Sequence, residues 1–116
     1  MTTEPNCIFC RIAAGEFGTT FLHESDQVVA FSDLAPQAAT HVLVIPRRHI
    51  PGIADITSND GELLLELIQV ANQIAVDLGI SESGYRLLTN NGDHSGQTVQ
   101  HLHIHLLGGN ELGPLG

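Results

Sequence analysis

Short apolar runs and alternating apolar and polar residues cover much of the chain, a pattern typical of β-strands. We expect five strands, in the segments "TTFLHES", "QVVAFSDL", "HVLVIP", "YRLLTN" and "HLHIHLL". The first two would form a hairpin with its turn at Ser25–Asp26, and Pro46 would close the third. The segment "CIFCRIAAGE" predicts a short N-terminal helix that stops near Gly15.

Residues 59–78 carry the 3.6-residue period of one long amphipathic helix. Asn59 or Asp60 would cap it, Glu62 lies in its first turn, and Gly79 would end it. Its main apolar stripe comprises Leu64, Leu67, Ile68, Ala71, Ile74, Ala75 and Leu78. The apolar residues outside that stripe are Leu63, Leu65, Val70 and Val76. Either the helix has one broad buried face, or its flank packs on another subunit, which would make the protein a homodimer.

The composition indicates one globular domain, residues 1–116, since 42% of the residues are hydrophobic. No apolar run approaches the roughly 20 residues of a membrane span. The N-terminal "MTTEPN" lacks the basic and apolar regions of a signal peptide, so we expect a cytoplasmic protein. The net charge of −9, with four Arg and no Lys, argues against nucleic acid and anionic membranes as partners. An anionic ligand would have to be held by backbone N–H groups, hydroxyls and imidazoles.

Three histidines stand at alternate positions in "HLHIHLL". In a strand, His101, His103 and His105 would share one face, about 6.5 Å apart, and the aliphatic residues between them would point into a core. The row would then lie on a polar or solvent-reachable face. Because histidine binds metals and also titrates near neutral pH, the row alone fits a metal site or a catalytic site.

The loop "NNGDHSGQT" precedes the row. Its glycines permit close approach of the backbone to a ligand, and a concavity of N–H groups there could hold a phosphate without any lysine. An ordinary turn is the alternative. Gln97 and Thr98 supply further donors, and His94 is expected at the surface.

The segment "FSDLAPQAATHVLVIPRRHI" adds two more histidines and one carboxylate. His41 would open the third strand, and His49 follows its end. Asp33 lies in a turn before Pro36. A carboxylate at such a position usually caps the turn, and it could also accept hydrogen bonds from ribose hydroxyls.

Three segments, "CIFCRI", "FSDLAPQAATHVLVIPRRHI" and "NNGDHSGQTVQHLHIHLLGG", resemble those of the histidine-triad (HIT) family of nucleotide hydrolases and transferases. They occur in the family's order and cover nearly the whole chain. The "LGG" after the row is more similar to the Hint-like branch, named for purine nucleoside phosphoramidases, than to the Fhit-like dinucleoside polyphosphate hydrolases. The resemblance implies an α+β fold: a five-stranded antiparallel sheet with one short N-terminal helix and one long helix, dimerising into a continuous sheet.

The resemblance also implies an activity. His103 would attack the α-phosphorus of a purine nucleotide conjugate, and a nucleotidyl-histidine intermediate would then release a nucleoside monophosphate. His41, His101 and His105 would complete the catalytic set, and a backbone carbonyl near His105 would hold the far nitrogen of His103. The implied nucleotide-binding residues are Ile8, Phe9, Phe31, Asp33, Leu34, Asn90, Gln97, Thr98, His103 and His105. No organic cofactor is implied.

Other functions fit the same residues. The chain could be a Fhit-like hydrolase, a nucleotide-binding or scaffolding protein without catalysis, or a module whose whole histidine row binds zinc. The sequence also departs from the Hint-like branch: "NELGPLG" stands where eukaryotic members carry a Trp-containing segment, and the chain has no Trp. The resemblance therefore leaves the leaving-group preference open.

The chain has two cysteines, Cys7 and Cys10, which form a single C-x2-C pair. Two buried thiols on one helix face would explain the spacing, and the pair is also half of a zinc site. Some bacterial HIT proteins and the related galactose-1-phosphate uridylyltransferases bind structural zinc through such a pair. By that resemblance, His49 and His101 would complete the site.

Overall fold

The computed structural model describes residues 3–114 and confirms the α+β fold. Five antiparallel strands form one sheet in the order β1-β2-β3-β5-β4. The strands are β1 (His23–Glu24), β2 (Val28–Ser32), β3 (Thr40–Pro46), β4 (Tyr85–Leu88) and β5 (Ile104–Gly108). The helices are α1 (Ile8–Ala13) and α2 (Gly61–Asp77). Within the described range, no helix is both long enough and apolar enough to cross a bilayer.

The two faces of the sheet carry different helices, because successive strand residues point to opposite sides. Helix α2 packs on one face, where its buried side chains meet alternate residues of the strands such as Val28, Val44 and Leu106. On the other face, Phe9 and Ala13 of α1 belong to a second, smaller cluster around the strand residues between those. The strand alternation therefore divides the core into two layers and brings the N-terminal helix onto the face opposite α2.

The start of α2 differs from the predicted one. The helix begins at Gly61, after a 3-10 turn at Ser58–Asp60. Thr57 caps that turn, and the side chain of Asp60 reaches back to the Thr57 N–H at 2.9 Å, which forms a capping box. Asp60 also pairs with Arg48. Asp60, one of the two predicted caps, occupies the N-cap position of α2, but its side chain makes no capping hydrogen bond there and stabilises the preceding turn instead. Asn59 is not the cap.

The predicted apolar stripe of α2 is rotated relative to the observed one. The buried residues are Leu63, Leu67, Val70, Ala71, Ile74 and Ala75. The expected and the observed stripes share their central positions, so periodicity alone could not decide which flank meets the sheet. Leu78 is exposed, and Leu65 and Val76 are each 57% exposed. Part of the excess apolar surface thus lies in the core, and part lies on the surface.

Strand β5 is shorter than predicted, since it contains His105 but neither His101 nor His103. Its ladder with β3 ends at the pair Val44–Ile104. Two positions further along β3 lies Pro46, which has no N–H to donate. The carbonyl of Pro46 instead accepts a hydrogen bond from His101 Nε2 at 2.8 Å, so a side chain replaces the next rung of the ladder.

Candidate functional site

Helix α1 covers the histidine row. The Phe9 ring meets His101 and His103 edge-on, with ring centroids 5.9 Å and 5.1 Å apart. The three imidazoles do lie on the face opposite α2, because Leu102, Ile104 and Leu106 belong to the core beneath α2. The expectation of a solvent-reachable row is wrong for His101 and His103, both of which are buried. Only His105 is partly accessible.

One nitrogen of His103 is held by the main chain. Its Nδ1 lies 2.7 Å from the carbonyl oxygen of His101. A carbonyl can only accept, so Nδ1 carries the proton and Nε2 of the neutral ring has a free lone pair. The expected carbonyl near His105 is thus wrong: the acceptor is two residues upstream of His103. Thr89 Oγ1 donates to the carbonyl of His103 itself at 2.8 Å, which fixes the segment from its other side.

A chain of hydrogen bonds fixes the tautomers of His41 and His105. The backbone N–H of Gln37 donates to His41 Nδ1 at 3.0 Å, so the neutral His41 ring carries its proton on Nε2. That nitrogen lies 2.9 Å from His105 Nδ1, which must then accept. His105 is left with an N–H at Nε2, a buried nitrogen without a hydrogen-bond partner among the described residues.

The imidazoles of His41 and His105 are both neutral at neutral pH. Burial lowers the pKa of His41 below its ordinary value. Burial, reinforced by the neighbouring His103 and His41, lowers the pKa of His105 to about 4. Asp33 stands beside the pair, with Oδ2 3.4 Å from His41 Nε2. Its Oδ1 accepts from the Ala35 N–H at 2.8 Å, so the carboxylate does cap its turn.

A cavity of about 330 Å³ opens beside these histidines. The predicted nucleotide-binding residues that line it are Ile8, Phe9, Phe31, Asp33, Leu34, Thr98, His103 and His105. The lining residues that sequence reasoning missed are Ile12, Thr19, Ser32, Leu43 and Val99. Ile12 could have been found from its i+4 spacing to Ile8 on α1. The cavity is apolar along α1 and polar at its histidine end.

Two predicted contacts lie elsewhere. The Gln97 amide nitrogen donates to the carbonyls of Pro51 and Val99, and its amide oxygen accepts from the Gly92 N–H at 2.8 Å. Gln97 therefore holds the loop before the histidine row in place and does not line the cavity. Asn90 does not line it either, and His94 is exposed.

Cys7, Cys10, His49 and His101 converge beneath α1, with one potential ligand atom from each residue inside a 4.8 Å cluster. Cys7 Sγ lies 3.3 Å from His101 Nδ1, and Cys10 Sγ lies 3.4 Å from His49 Nδ1. With zinc–sulfur bonds of about 2.3 Å and zinc–nitrogen bonds of about 2.0 Å, sulfur and nitrogen ligands of a tetrahedral ion are about 3.5 Å apart. The spacing of the four ligand atoms thus fits a metal of zinc's size.

The surroundings of the quartet also suit a metal. The hydrogen bond from His101 Nε2 to the Pro46 carbonyl leaves Nδ1 unprotonated and directed at the two thiols, the usual orientation of a metal-bound histidine. Burial lowers the pKa of His101 to about 4, so its lone pair is available at neutral pH. Two sulfur and two imidazole donors form a ligand set typical of structural zinc.

Asp33, His41 and His105 form a second group of potential ligands. Here the ring centroids of the two histidines lie 5.1 Å apart while their nitrogens are 2.9 Å apart. The two nitrogens therefore point at each other, which leaves no room for an ion between them. Asp33, His41 and His105 are therefore a hydrogen-bonded group and not a metal site.

The HIT domain family profile matches residues 14–112, and the chain belongs to the HIT family. It is 44% identical to the purine nucleoside phosphoramidase of Escherichia coli (strain K12) over 108 residues, 93% of this chain and 91% of that protein. A HIT family hydrolase from Clostridium thermocellum is 46% identical, with a TM-score of 0.93 over 97% of this chain and 98% of that one. A histidine triad protein from Clostridium difficile is 38% identical, with a TM-score of 0.94 over 99% of this chain and 100% of that one.

Proposed function

We propose that this chain hydrolyses purine nucleoside phosphoramidates or related nucleotide conjugates at the α-phosphorus, with His103 as the nucleophile. The observation that carries the proposal is the hydrogen bond from His103 Nδ1 to the His101 carbonyl, which leaves the Nε2 lone pair of a cavity-lining residue free. The name of the Escherichia coli relative supports the purine and phosphoramidate parts of the proposal.

The first half of the reaction forms a bond between His103 Nε2 and the α-phosphorus and breaks the bond from phosphorus to the leaving group. As Nε2 becomes bonded, the ring gains positive charge, and the hydrogen bond from Nδ1–H to the His101 carbonyl stabilises that charge. A neutral histidine nucleophile needs no separate base for this step. The departing nitrogen takes up a proton from solvent as the P–N bond breaks and leaves as an amine. Water then attacks the nucleotidyl-histidine, gives up a proton to solvent, and releases the nucleoside monophosphate and the free imidazole.

His105 would donate a hydrogen bond to the α-phosphate. Its buried Nε2–H has no hydrogen-bond partner within residues 3–114, and an oxygen of the α-phosphate would supply one. The donor is in place before the reaction because the chain from Gln37 through His41 sets the tautomer, and a preorganised donor is worth more to a developing charge than one that must rotate. Thr98, at the same cavity, offers a hydroxyl to another phosphate oxygen.

The rest of the nucleotide would extend along α1. We assign the base to the apolar wall around Ile8, Phe9 and Phe31, with Leu34 at the exposed rim. Asp33 would bind the ribose through Oδ2, since Oδ1 already accepts from Ala35. Gln97 would then support the loop and make no direct contact.

The intermediate is the most direct test. An adenosine phosphoramidate is mixed with the protein, the reaction is quenched during turnover, and the peptides are examined by mass spectrometry. An adenylyl adduct on His103 is expected. Nucleotide binding without any product between pH 5 and pH 9 would reject the enzyme and support the non-catalytic alternative. Faster cleavage of dinucleoside polyphosphates than of phosphoramidates would favour the Fhit-like activity.

We further propose that Cys7, Cys10, His49 and His101 hold a structural zinc ion. The ligands would all come from the protein, so no position would remain for a reactive water, and the ion would tie α1 to the ends of β3 and β5. A homodimer is proposed from the exposed apolar residues of α2 and from β4, which forms an edge of the sheet. The single domain over residues 1–116 and the cytoplasmic location stay predictions.

A further inference from the structure

A second cavity, of about 460 Å³, adjoins the first. Ile8, Thr98 and Val99 line both cavities, so the two share a border. The base, ribose and α-phosphate assigned above all contact the first cavity, and no part of the nucleotide uses the second. The second cavity is lined by residues before and at the start of α1, by His49 after β3, and by the segment just before the histidine row. Cys7 and His49 of the Cys-His quartet are among these lining residues.

The geometry of the proposed reaction indicates which part of the substrate would occupy the second cavity. In a displacement at phosphorus, the attacking and leaving atoms lie roughly in line on opposite sides. With His103 Nε2 attacking from the first cavity, the leaving group must depart away from the imidazole. Thr98 contacts the phosphate in the proposed complex and also borders the second cavity, so the breaking bond lies at the border between the two.

The charges around the second cavity are one-sided. Among the described residues that line it, Glu4 is the only carboxylate, and neither Arg nor Lys is present. Asn6 and Gln100 are polar but uncharged. Zinc with two thiolates, from Cys7 and Cys10, and two neutral imidazoles would carry no net charge. A bound metal would therefore not make the surroundings of the second cavity positive.

The arginines of the chain are engaged elsewhere. Arg11 pairs with Glu16, Arg47 pairs with Glu24, and Arg48 pairs with Asp60. Arg86 donates to the carbonyl of Gly113 at 2.9 Å. Over residues 3–114, neither cavity has an arginine in its lining. An anionic leaving group would therefore meet a carboxylate and no compensating cation.

We propose that the second cavity is the leaving-group subsite and that Glu4 is its specificity-determining residue, which favours leaving groups that carry an ammonium over neutral ones and disfavours anionic ones. This inference rests on the proposed function and extends it to the chemical class of the leaving group. It also separates the two activities that the fold allows, because the leaving group of a dinucleoside polyphosphate is strongly anionic.

The test uses three adenosine 5′-phosphoramidates of equal chain length, made from 1,4-diaminobutane, butylamine and 4-aminobutyrate. Release of AMP gives kcat/KM for each. Opposite unit charges about 4 Å apart in water correspond to about a fivefold preference, so we expect the ammonium compound to exceed the neutral one by about fivefold, and the neutral one to exceed the carboxylate. The preference should shrink in 0.5 M salt, since exposed charges are screened.

Glu4→Gln should bring the ratio of ammonium to neutral substrate to about one. The main-chain contact of Glu4, from its N–H to Cys10 Sγ, is kept in this variant. Glu62→Gln is the matched control: it removes the same charge from the exposed first turn of α2, on the other side of the sheet, and should leave all three rates as they are. Equal wild-type rates, or the same loss of preference in the control, would overturn the subsite.

Dissociation constants of the same three compounds, measured on His103→Ala and on the wild type if it does not turn over, separate the two proposals. If no compound is cleaved but the ammonium compound binds about fivefold more tightly through Glu4, the subsite stands and the proposed reaction fails. If AMP is released at rates that are indifferent to leaving-group charge, the reaction stands and the subsite fails.

Discussion

At the scale of single residues, main-chain groups set the tautomers of the site. The His101 carbonyl selects the proton position of His103, and the Gln37 N–H selects that of His41 and, through it, of His105. One imidazole thereby presents a lone pair and another presents an N–H. The proposed nucleophile and the proposed donor to the phosphate thus arise from the same residue type.

His103→Ala should abolish turnover while leaving nucleotide binding nearly intact, because the base and ribose contacts are assigned to other residues. AMP release and the dissociation constant of AMP are the two measurements. His94→Ala is the matched control, since it removes an exposed imidazole from the preceding loop. Turnover of His103→Ala within tenfold of the wild type would contradict a nucleophilic role.

The low pKa of His105 predicts how the unfolding free energy of the protein changes with pH. In the unfolded chain this imidazole takes up a proton near pH 6.5, whereas in the folded protein its pKa is about 4. Between those values the unfolded state binds more protons, so the contribution of His105 to stability is full above pH 6.5 and declines as the pH falls towards 4. The slope is at most about 1.4 kcal/mol per pH unit.

His105→Asn removes that titration. The difference in unfolding free energy between wild type and variant, from urea denaturation at pH 7, 6 and 5, should therefore shrink as the pH falls. Histidines that do not contact His105 contribute equally to both proteins and cancel, so the difference reports on His105 and on the two imidazoles coupled to it, His41 and His103. Parallel pH profiles would show that His105 does not titrate differently in the folded protein.

At the scale of elements, the end of β4 is tied to the histidine segment by one hydroxyl. Thr89 Oγ1 donates to the His103 carbonyl at 2.8 Å. Thr89→Val keeps the shape and removes the donor, so we expect a loss of about 1 kcal/mol in unfolding free energy. Thr89→Ser, which retains the hydroxyl, should lose less. Equal losses in the two variants would assign the effect to packing.

The buried side and the exposed apolar side of helix α2 can be tested separately by substitution. Leu67 is fully buried against the sheet, so Leu67→Ala should lower the unfolding free energy by about 2–5 kcal/mol. Leu65 is 57% exposed, and Leu65→Glu should leave the folded subunit intact but shift the mass measured by light scattering from dimer to monomer. Gln69→Glu adds the same charge at another exposed position of α2 and serves as the control. A monomeric wild type would reject the proposed dimer.

Local sequence patterns predicted the elements well and their mutual placement less well. Alternation identified all five strands, and the capping signals found α2 to within two residues at its start. Periodicity could not choose between the Leu64 and Leu63 flanks of α2, because both flanks are apolar. The prediction that β3 ends at Pro46 is confirmed. The pattern could not foresee that the pairing of β3 with β5 stops two residues earlier, at Val44, since that depends on which strand pairs with which.

For the candidate site, too, the sequence predicted some residues correctly and missed others. The HIT-like segments led to His41, His103 and His105, which the structure brings together although His41 and His105 are far apart in sequence. Thr19 and Ser32 also line the cavity, yet neither carries a local signal that distinguishes it from an ordinary surface residue. The HIT resemblance assigns Gln97 to the nucleotide site, whereas its three hydrogen bonds hold the loop.

At the scale of the whole molecule, the Cys-His quartet joins the N-terminus to the centre of the fold. Burial raises the pKa of Cys10, so without a cation the thiol stays protonated and the four side chains are held only by weak contacts. Protein purified without a His-tag or chelator should contain about one equivalent of zinc per chain. Chelation should lower the melting temperature first and affect turnover only indirectly.

His49→Asn should lose the zinc, and His94→Asn should retain it. Each kcal/mol of lost stability lowers the melting temperature by roughly 4 °C in a domain of this size, so calorimetry detects the loss readily. Less than about one-tenth of an equivalent of metal, together with a melting temperature unmoved by Cys7→Ser, would leave the cysteines as ordinary core residues without the metal role.

The bond from His103 to the His101 carbonyl has an evolutionary consequence. A main-chain oxygen is present whatever side chain position 101 carries, so mutations that erase the thiols or the ligating imidazoles do not erase the acceptor. With the proposed zinc at the quartet and the proposed reaction at His103, lineages could gain or lose the metal by drift while the reaction stays under selection. Descendants of a common ancestor are expected to vary at positions 7, 10 and 49 far more freely than at position 103.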